Sequence, residues 1–200
     1  LRPGNLYDYF LQRQEKGVLA AREILIAILK SMGEIWPDGS WVDSIAIGDA
    51  AYHEAVKRSD ITDRIVPFHK LSQWMSYSLI EPLQLAGIKI IDLDALTGLA
   101  EYRNGGLFID TGTISLRDKS EMETLHDPKS PLIVEWRALT VTLLDQLAEQ
   151  IRRHTNTNAE SMPLVSILQG GTWSAGRRIA QRLRSDASPP LRLKSRGTIF

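Results

Sequence analysis

The stretch SPLIVEWRALTVTLLDQLAEQI, residues 130–151, decides the fold class. Ser130 offers a side-chain cap, and Pro131 suits a first helical position, where its missing N–H costs nothing. Trp136, Leu139, Leu143, Leu147 and Ile151 then recur at steps of three and four as one apolar stripe, which Val141, Leu144 and Ala148 widen. A stripe this broad predicts a long helix buried over much of its circumference. Outward from it, residues 18–32 place Ala21, Leu25, Ile28 and Met32 on one helical face, with Gly33 available to stop them and Trp36-Pro37 opening a turn. Another helix is predicted to start at Pro67 and run with Phe68, Leu71, Met75 and Leu79 as its apolar side, and Pro82 must kink or restart it. Gly170-Gly171-Thr172 precedes a last helical pattern with Arg177 and Arg178 in its second turn, and residues 191–200 alternate like a short terminal strand. The expected class is mainly α, in one domain over residues 1–200 with polar residues 155–161 as an internal loop.

Composition narrows the function classes. Two hundred residues with 43% hydrophobic and 24% charged side chains can bury a sizeable core. The greasiest segment, residues 18–29, is interrupted by Arg22 and Glu23, so no membrane span is expected. The absence of cysteine removes disulfides, thiol nucleophiles and thiolate metal sites, and it fits a reducing, cytoplasmic setting. The formal charge of zero hides an asymmetry: residues 1–150 carry 15 basic and 22 acidic side chains, residues 151–200 carry 9 and 2. A basic tail can bind nucleic acid, dock on the acidic remainder or hold a phosphorylated small molecule; its few aromatics argue against nucleic acid. The phosphate-loop, dinucleotide, zincin and hydrolase-elbow motifs are missing, and His53, His69, His126 and His154 are too scattered for a metal site, so no metal or cofactor is expected.

Three constellations remain. Lys70, Gln73, Tyr77 and Glu81 share one face of the helix predicted from Pro67. That face reads either as solvated, with a Lys–Glu pair, or as a pocket wall, toward which Trp74 and Tyr77 point. The run LTGLAEYRNGG, residues 96–106, concentrates polar residues and glycines between apolar flanks. Glu101 could face a developing cation, as cleavage through an oxocarbenium-like transition state requires, or it could form a buried ion pair with Arg103 or Arg137. Glu135 opens the long helix where its dipole favours a carboxylate, and Arg137 faces the interior, where a guanidinium wants a carboxylate or a phosphate. Gly170-Gly171-Thr172 ahead of a helix reads as an anion site assisted by Arg177.

The segments LRPG (1–4), PFHKLSQW (67–74), 96–107, VEWRALT (134–140) and GGTW (170–173) resemble the uracil catabolism protein 4 family. That family carries a further N-terminal portion, so the resemblance implies that this chain is a C-terminal half whose site the missing N-terminal half could complete. It also implies uracil breakdown by ring opening, through a ribonucleotide and with release of urea. More distantly, residues 68–73, 97–103 and 135–140 are similar in order and spacing to the F-Y-K-R-A-Q, T-M-F-A-D-Y-R and E-x-R-A-x-T segments of queuosine salvage proteins. Those are nucleotide N-glycosylases with a fold related to helix-hairpin-helix DNA glycosylases. The similarity implies that fold here and puts Glu101 where those enzymes hold their catalytic aspartate. It also implies a helix over 103–110 capped by Gly112, where periodicity alone would allow a strand at 107–109.

Together these expectations give an N-ribosyl hydrolase acting on a phosphorylated riboside such as a ribosylurea phosphate. Glu101 and Lys70 are its expected catalytic residues. Its expected binding residues are Gln73, Trp74, Tyr77, Tyr102, Arg103, Asn104, Glu135, Arg137, Gly171, Thr172 and Arg177. The rival expectation is a non-catalytic nucleotide-binding or scaffold component of the same pathway.

Overall fold

A computed structural model describes residues 4–36 and 39–194. It is mainly α, with four two-stranded pairings tying loops to helices. Helix α1 (Asn5–Arg13) leads through β1 (Val18–Ala20) into α2 (Ala21–Met32). The small strands β2 (Ser40–Val42), β3 (Ile45–Gly48), β4 (Ala50–Tyr52) and β5 (Ile65–Pro67) follow, then α3 (Lys70–Leu85) and β6 (Lys89–Ile91). Helix α4 (Tyr102–Asp110), β7 (Leu125–His126), the 25-residue α5 (Pro131–Thr155), α6 (Leu164–Ile167), α7 (Trp173–Leu183) and β8 (Arg192–Leu193) complete the order. β1 lies parallel to β6 and β7 parallel to β8, whereas β2–β3 and β4–β5 are antiparallel. Among the described residues no helix is long and apolar enough to cross a membrane.

Of four apolar clusters among the described residues, the two largest join most of the helices. Phe10, Ile24, Ile28, Ile80, Leu83 and Ile90 join α1, α2, α3 and the β1–β6 pair. Leu99, Phe108, Leu144, Ala148, Leu164 and Leu168 join α4, α5 and the segment that leads into α7. Tyr77 of α3 packs against both, so α3 separates them and its exposed side is free to wall a cleft.

Several local expectations need correction. Helix α3 begins at Lys70: Pro67 ends β5, paired with Ala50, and His69 takes a left-handed conformation (φ 50°) before the helix starts. Pro82 does not restart α3, which runs through it to Leu85, a proline in the last turn removing only one helical N–H. On α5 the buried residues are Ile133, Val134, Trp136, Arg137, Thr140, Leu144, Ala148 and Arg152, while Leu139 is 47% exposed. The buried stripe is thus rotated from the apolar one, because Arg137 and Thr140 have internal hydrogen-bond partners that permit burial. The segment at 107–109 is helical, as the resemblance implies, and α4 ends at Asp110, its C-cap Thr111 being followed by Gly112 at φ 76°. Of the expected terminal strand, Arg192–Leu193 pairs with Leu125–His126; residues 195–200 lie outside the described residues, as do Leu1, Arg2, Pro3 and Pro37.

The last helical pattern differs most. Leu164–Ile167, a π-helical turn over Leu168–Thr172 and Trp173–Leu183 follow without a break. Gly170 and Gly171 therefore lie within a helical run. The chain there offers no free helix end, which removes the helix-end argument for an anion site at Gly171 and Thr172.

Candidate active site

Asp49 organises the buried centre. Its carboxylate receives both arms of the Arg137 guanidinium, at 2.9 and 2.7 Å, and the Lys70 backbone N–H at 3.0 Å. Its backbone carbonyl accepts the N–H groups of Phe68 and His69, each at 2.9 Å. Asp49 thus caps α3 from a distant strand junction, replacing the side-chain cap that left-handed His69 does not provide. Arg137 is 1% exposed and lies 4.0 Å from the centre of the Phe68 ring, so the pair is dry and fixed.

Lys70 and Glu101 stand beside this pair, and both are about 95% buried. Glu101 caps α4: its Oε1 accepts the N–H groups of Arg103 and Asn104, each at 3.1 Å. Its Oε2 takes no hydrogen bond among the described residues. The Lys70 ammonium likewise makes neither an ion pair nor a hydrogen bond among the described residues. Burial pushes the Lys70 ammonium down to about 8, with Arg137 adding to the effect and Asp49 and Glu101 opposing it. Burial pushes Glu101 up, against the two backbone N–H groups, Lys70 and Arg103. Burial pushes His69 down, opposed by Asp49 and helped by the smaller effect of Arg137, and its Nδ1 is buried without a partner among the described residues. An acid driven up and an amine driven down, side by side, have the poise that proton transfer near neutrality requires.

A cavity of about 520 Å³ opens beside this centre, between α3, α4 and the π turn. Trp74, Tyr77, Ser78 and Glu81 form one wall; Leu99 and Asn104 form the floor; Val165, Leu168, Gln169 and Trp173 form the other wall. The size suits a small organic molecule, and the aromatic surfaces suit a planar one. The π turn matters to this wall because its extra residue per turn presents Leu168 and Gln169 to the cavity while Thr172 turns inward to donate to Asn104 Oδ1 at 2.9 Å.

The expected site residues fall into separate groups. Trp74, Tyr77 and Asn104 line the cavity, and Lys70, Glu101 and Arg137 form the buried centre. Gln73 is buried and accepts the Thr97 N–H at 3.2 Å, and the Tyr77 hydroxyl donates to the Thr97 carbonyl at 2.9 Å. These two side chains brace the strip leading to Glu101, so the polar face of α3 is not a solvated Lys–Glu face. Glu135 is exposed and bonds His53 Nε2 at 3.2 Å, away from the cavity wall. Tyr102, Arg103 and Arg177 line a second, water-sized crevice behind Trp173. Glu101 pairs with neither Arg103 nor Arg137; its carboxylate serves backbone donors instead. The sequence reading missed Asp49, whose signal is a lone charge after glycine in the apolar run IAIGDAA, and it missed Leu168, Gln169 and Trp173.

Fold and site define a mainly α protein in which a buried lysine–carboxylate–arginine centre adjoins an aromatic-walled cavity. The chain belongs to the family described as "Protein of unknown function (DUF1688)", which it matches over residues 1–200. It is 42% identical over 169 residues to Protein urg3 of Schizosaccharomyces pombe, covering 83% of this chain and 41% of that one. It is 36% identical over 226 aligned residues to Uracil catabolism protein 4 of Lachancea kluyveri, covering all of this chain and 51% of that one. The resemblance to the uracil catabolism protein 4 family therefore holds, while no comparison supports the more distant one to queuosine salvage proteins; the chain spans about half the length, or less, of these two relatives. No solved structure matches it.

Proposed function

We propose that this chain is the C-terminal half of a cytoplasmic uracil-catabolism protein and carries an N-ribosyl hydrolase centre. Its substrate would be a ribosylated, phosphorylated breakdown intermediate of the ribosylurea phosphate kind. The observation that carries the reading is that two buried ionisable groups, the Glu101 carboxylate and the Lys70 ammonium, act on each other electrostatically, while Glu101 Oε2 and the ammonium take no hydrogen bond or ion pair among the described residues, near a cavity lined by Leu99 and Asn104. Glu101, fixed through Oε1 by α4, stabilises positive charge at the sugar C1′ or takes a proton from water; water's oxygen bonds C1′ as the C1′–N bond breaks and urea leaves with the proton. Lys70 keeps that carboxylate ionised, and the Asp49–Arg137 pair holds Lys70 in place. The chemistry requires no cofactor. On this same proposal the domain has the helix-hairpin-helix fold of the salvage N-glycosylases.

The test is incubation of the full-length protein with synthetic ribosylurea 5′-phosphate and, separately, uridine 5′-phosphate, following urea and uracil. Release that disappears in Glu101→Gln supports the proposal; substantial activity in that variant removes Glu101 from the mechanism. One observation favours the scaffold alternative: Glu101 already has a structural task as the cap of α4. That alternative predicts ligand binding without turnover in the wild type and unchanged binding in Glu101→Gln.

A further inference from the structure

With no helix end at residues 170–172, the charge of a phosphorylated ligand needs another holder. Two arginines meet one indole at the cavity wall: the guanidinium carbon of Arg103 lies 4.8 Å from the centre of the Trp173 ring and that of Arg177 lies 5.9 Å from it. Arg103 also lies 5.1 Å from the Tyr102 ring. Trp173 itself lines the cavity. Neither guanidinium makes an ion pair or a hydrogen bond among the described residues. This differs from Arg184 in the same crevice, which takes both oxygens of Asp110 and so uses the nearby carboxylate.

The helices that carry the two arginines are also fixed relative to each other. A Cβ on Gly176 would fall 2.1 Å from the Arg103 carbonyl oxygen, so α4 and α7 touch backbone to backbone where both side chains emerge. Two uncompensated guanidiniums held on one aromatic plate are preorganised for a doubly charged, multidentate acceptor. Arg103 additionally acts electrostatically on Glu101, which places this charge within reach of the reacting end of the site.

We propose that Arg103 and Arg177, on Trp173, form a phosphomonoester site at the edge of the aromatic cavity, making the protein selective for a riboside 5′-phosphate over the free riboside. The inference rests on the riboside reading above for the identity of the sugar.

The experiment titrates full-length protein with ribose 5-phosphate, ribose and inorganic phosphate, read by calorimetry and by tryptophan fluorescence. Ribose 5-phosphate is expected to bind at least tenfold more tightly than ribose, with a loss of roughly tenfold for each arginine removed in Arg103→Ala and Arg177→Ala. Arg177 is exposed, so its single variant keeps the test valid if Arg103→Ala does not fold. Equal binding of ribose and ribose 5-phosphate, undiminished binding in Arg177→Ala, or tighter binding of a single-stranded oligonucleotide than of ribose 5-phosphate would each overturn the site. Arginine-dependent binding of ribose 5-phosphate without cleavage of ribosylurea 5′-phosphate leaves the site standing and sinks the hydrolase reading. Cleavage that is indifferent to the phosphate does the reverse.

Discussion

Replacing Lys70 with methionine tests whether the centre is maintained against stability. Burial holds the Lys70 ammonium at about 8, against 10.5 for an ordinary lysine. That difference corresponds to about 3 kcal/mol of unfavourable free energy for the charged form in the folded chain. Between pH 8 and 10.5 the unfolded chain still binds a proton that the folded chain has released, so stability rises with pH through this window. Below pH 8 both states are protonated and the full cost applies. Methionine removes the charge while keeping much of the volume. Lys70→Met should therefore be more stable than wild type by up to about 3 kcal/mol at pH 7, with the difference closing as pH approaches 10.5. Urea unfolding at several pH values measures this, provided the slope m is unchanged, and subtracting the two proteins cancels every other titration common to both. A stability difference that stays flat across the window, or a variant less stable than wild type at pH 7, would refute the account of Lys70 as a desolvated charge.

Asp49→Asn strips the 1%-exposed Arg137 of its bidentate carboxylate and should cost about 3 to 5 kcal/mol in urea unfolding; Asp49→Leu combined with Arg137→Met should recover most of that loss. Glu101→Gln keeps an oxygen to cap α4, so its stability should stay within about 1 kcal/mol of wild type while any turnover falls by about 100-fold or more; Glu101→Ala should lose about 1 kcal/mol through the cap as well. Gly176→Ala forces α4 from α7 and should lower stability by about 3 kcal/mol, so an unchanged melting temperature would contradict the backbone contact between these helices.

The parts legible in the sequence are those where local pattern and tertiary environment agree. Ser130-Pro131 and the apolar repeat behind it mark the start and length of α5, although the Ser130 hydroxyl is buried without a partner among the described residues and does not cap the helix, and Gly112 at φ 76° marks the end of α4. Polarity misplaces the face of α5, because Arg137 and Thr140 are buried by partners that the repeat does not encode. Pro67 suits a helix start as well as a strand end, and only its pairing with Ala50 decides between them. The two glycines at 170–171 resemble a helix cap, but the π turn incorporates them. Trp74, Tyr77 and Asn104 are legible as cavity residues; Asp49 is not, since its partner Arg137 lies 88 residues away and neither residue's neighbours announce the other.

The arrangement of carboxylates explains why an ammonium can be left bare in the interior. A buried lysine ordinarily draws the nearest carboxylate into an ion pair, which would quench both groups. Here each nearby carboxylate is already committed to a group that cannot move away: Asp49 to the Arg137 guanidinium and the Lys70 amide, Glu101 Oε1 to the first amides of α4. The Lys70 backbone is tied to Asp49 and Glu101 Oε1 to the start of α4, so both residues are anchored at their helix ends. The negative charges still moderate the amine through space, opposing desolvation without forming a contact. Two helix caps therefore fix the segments that carry Lys70 and Glu101, and under the proposed function a ligand reaching this centre would meet two groups that are not paired with each other.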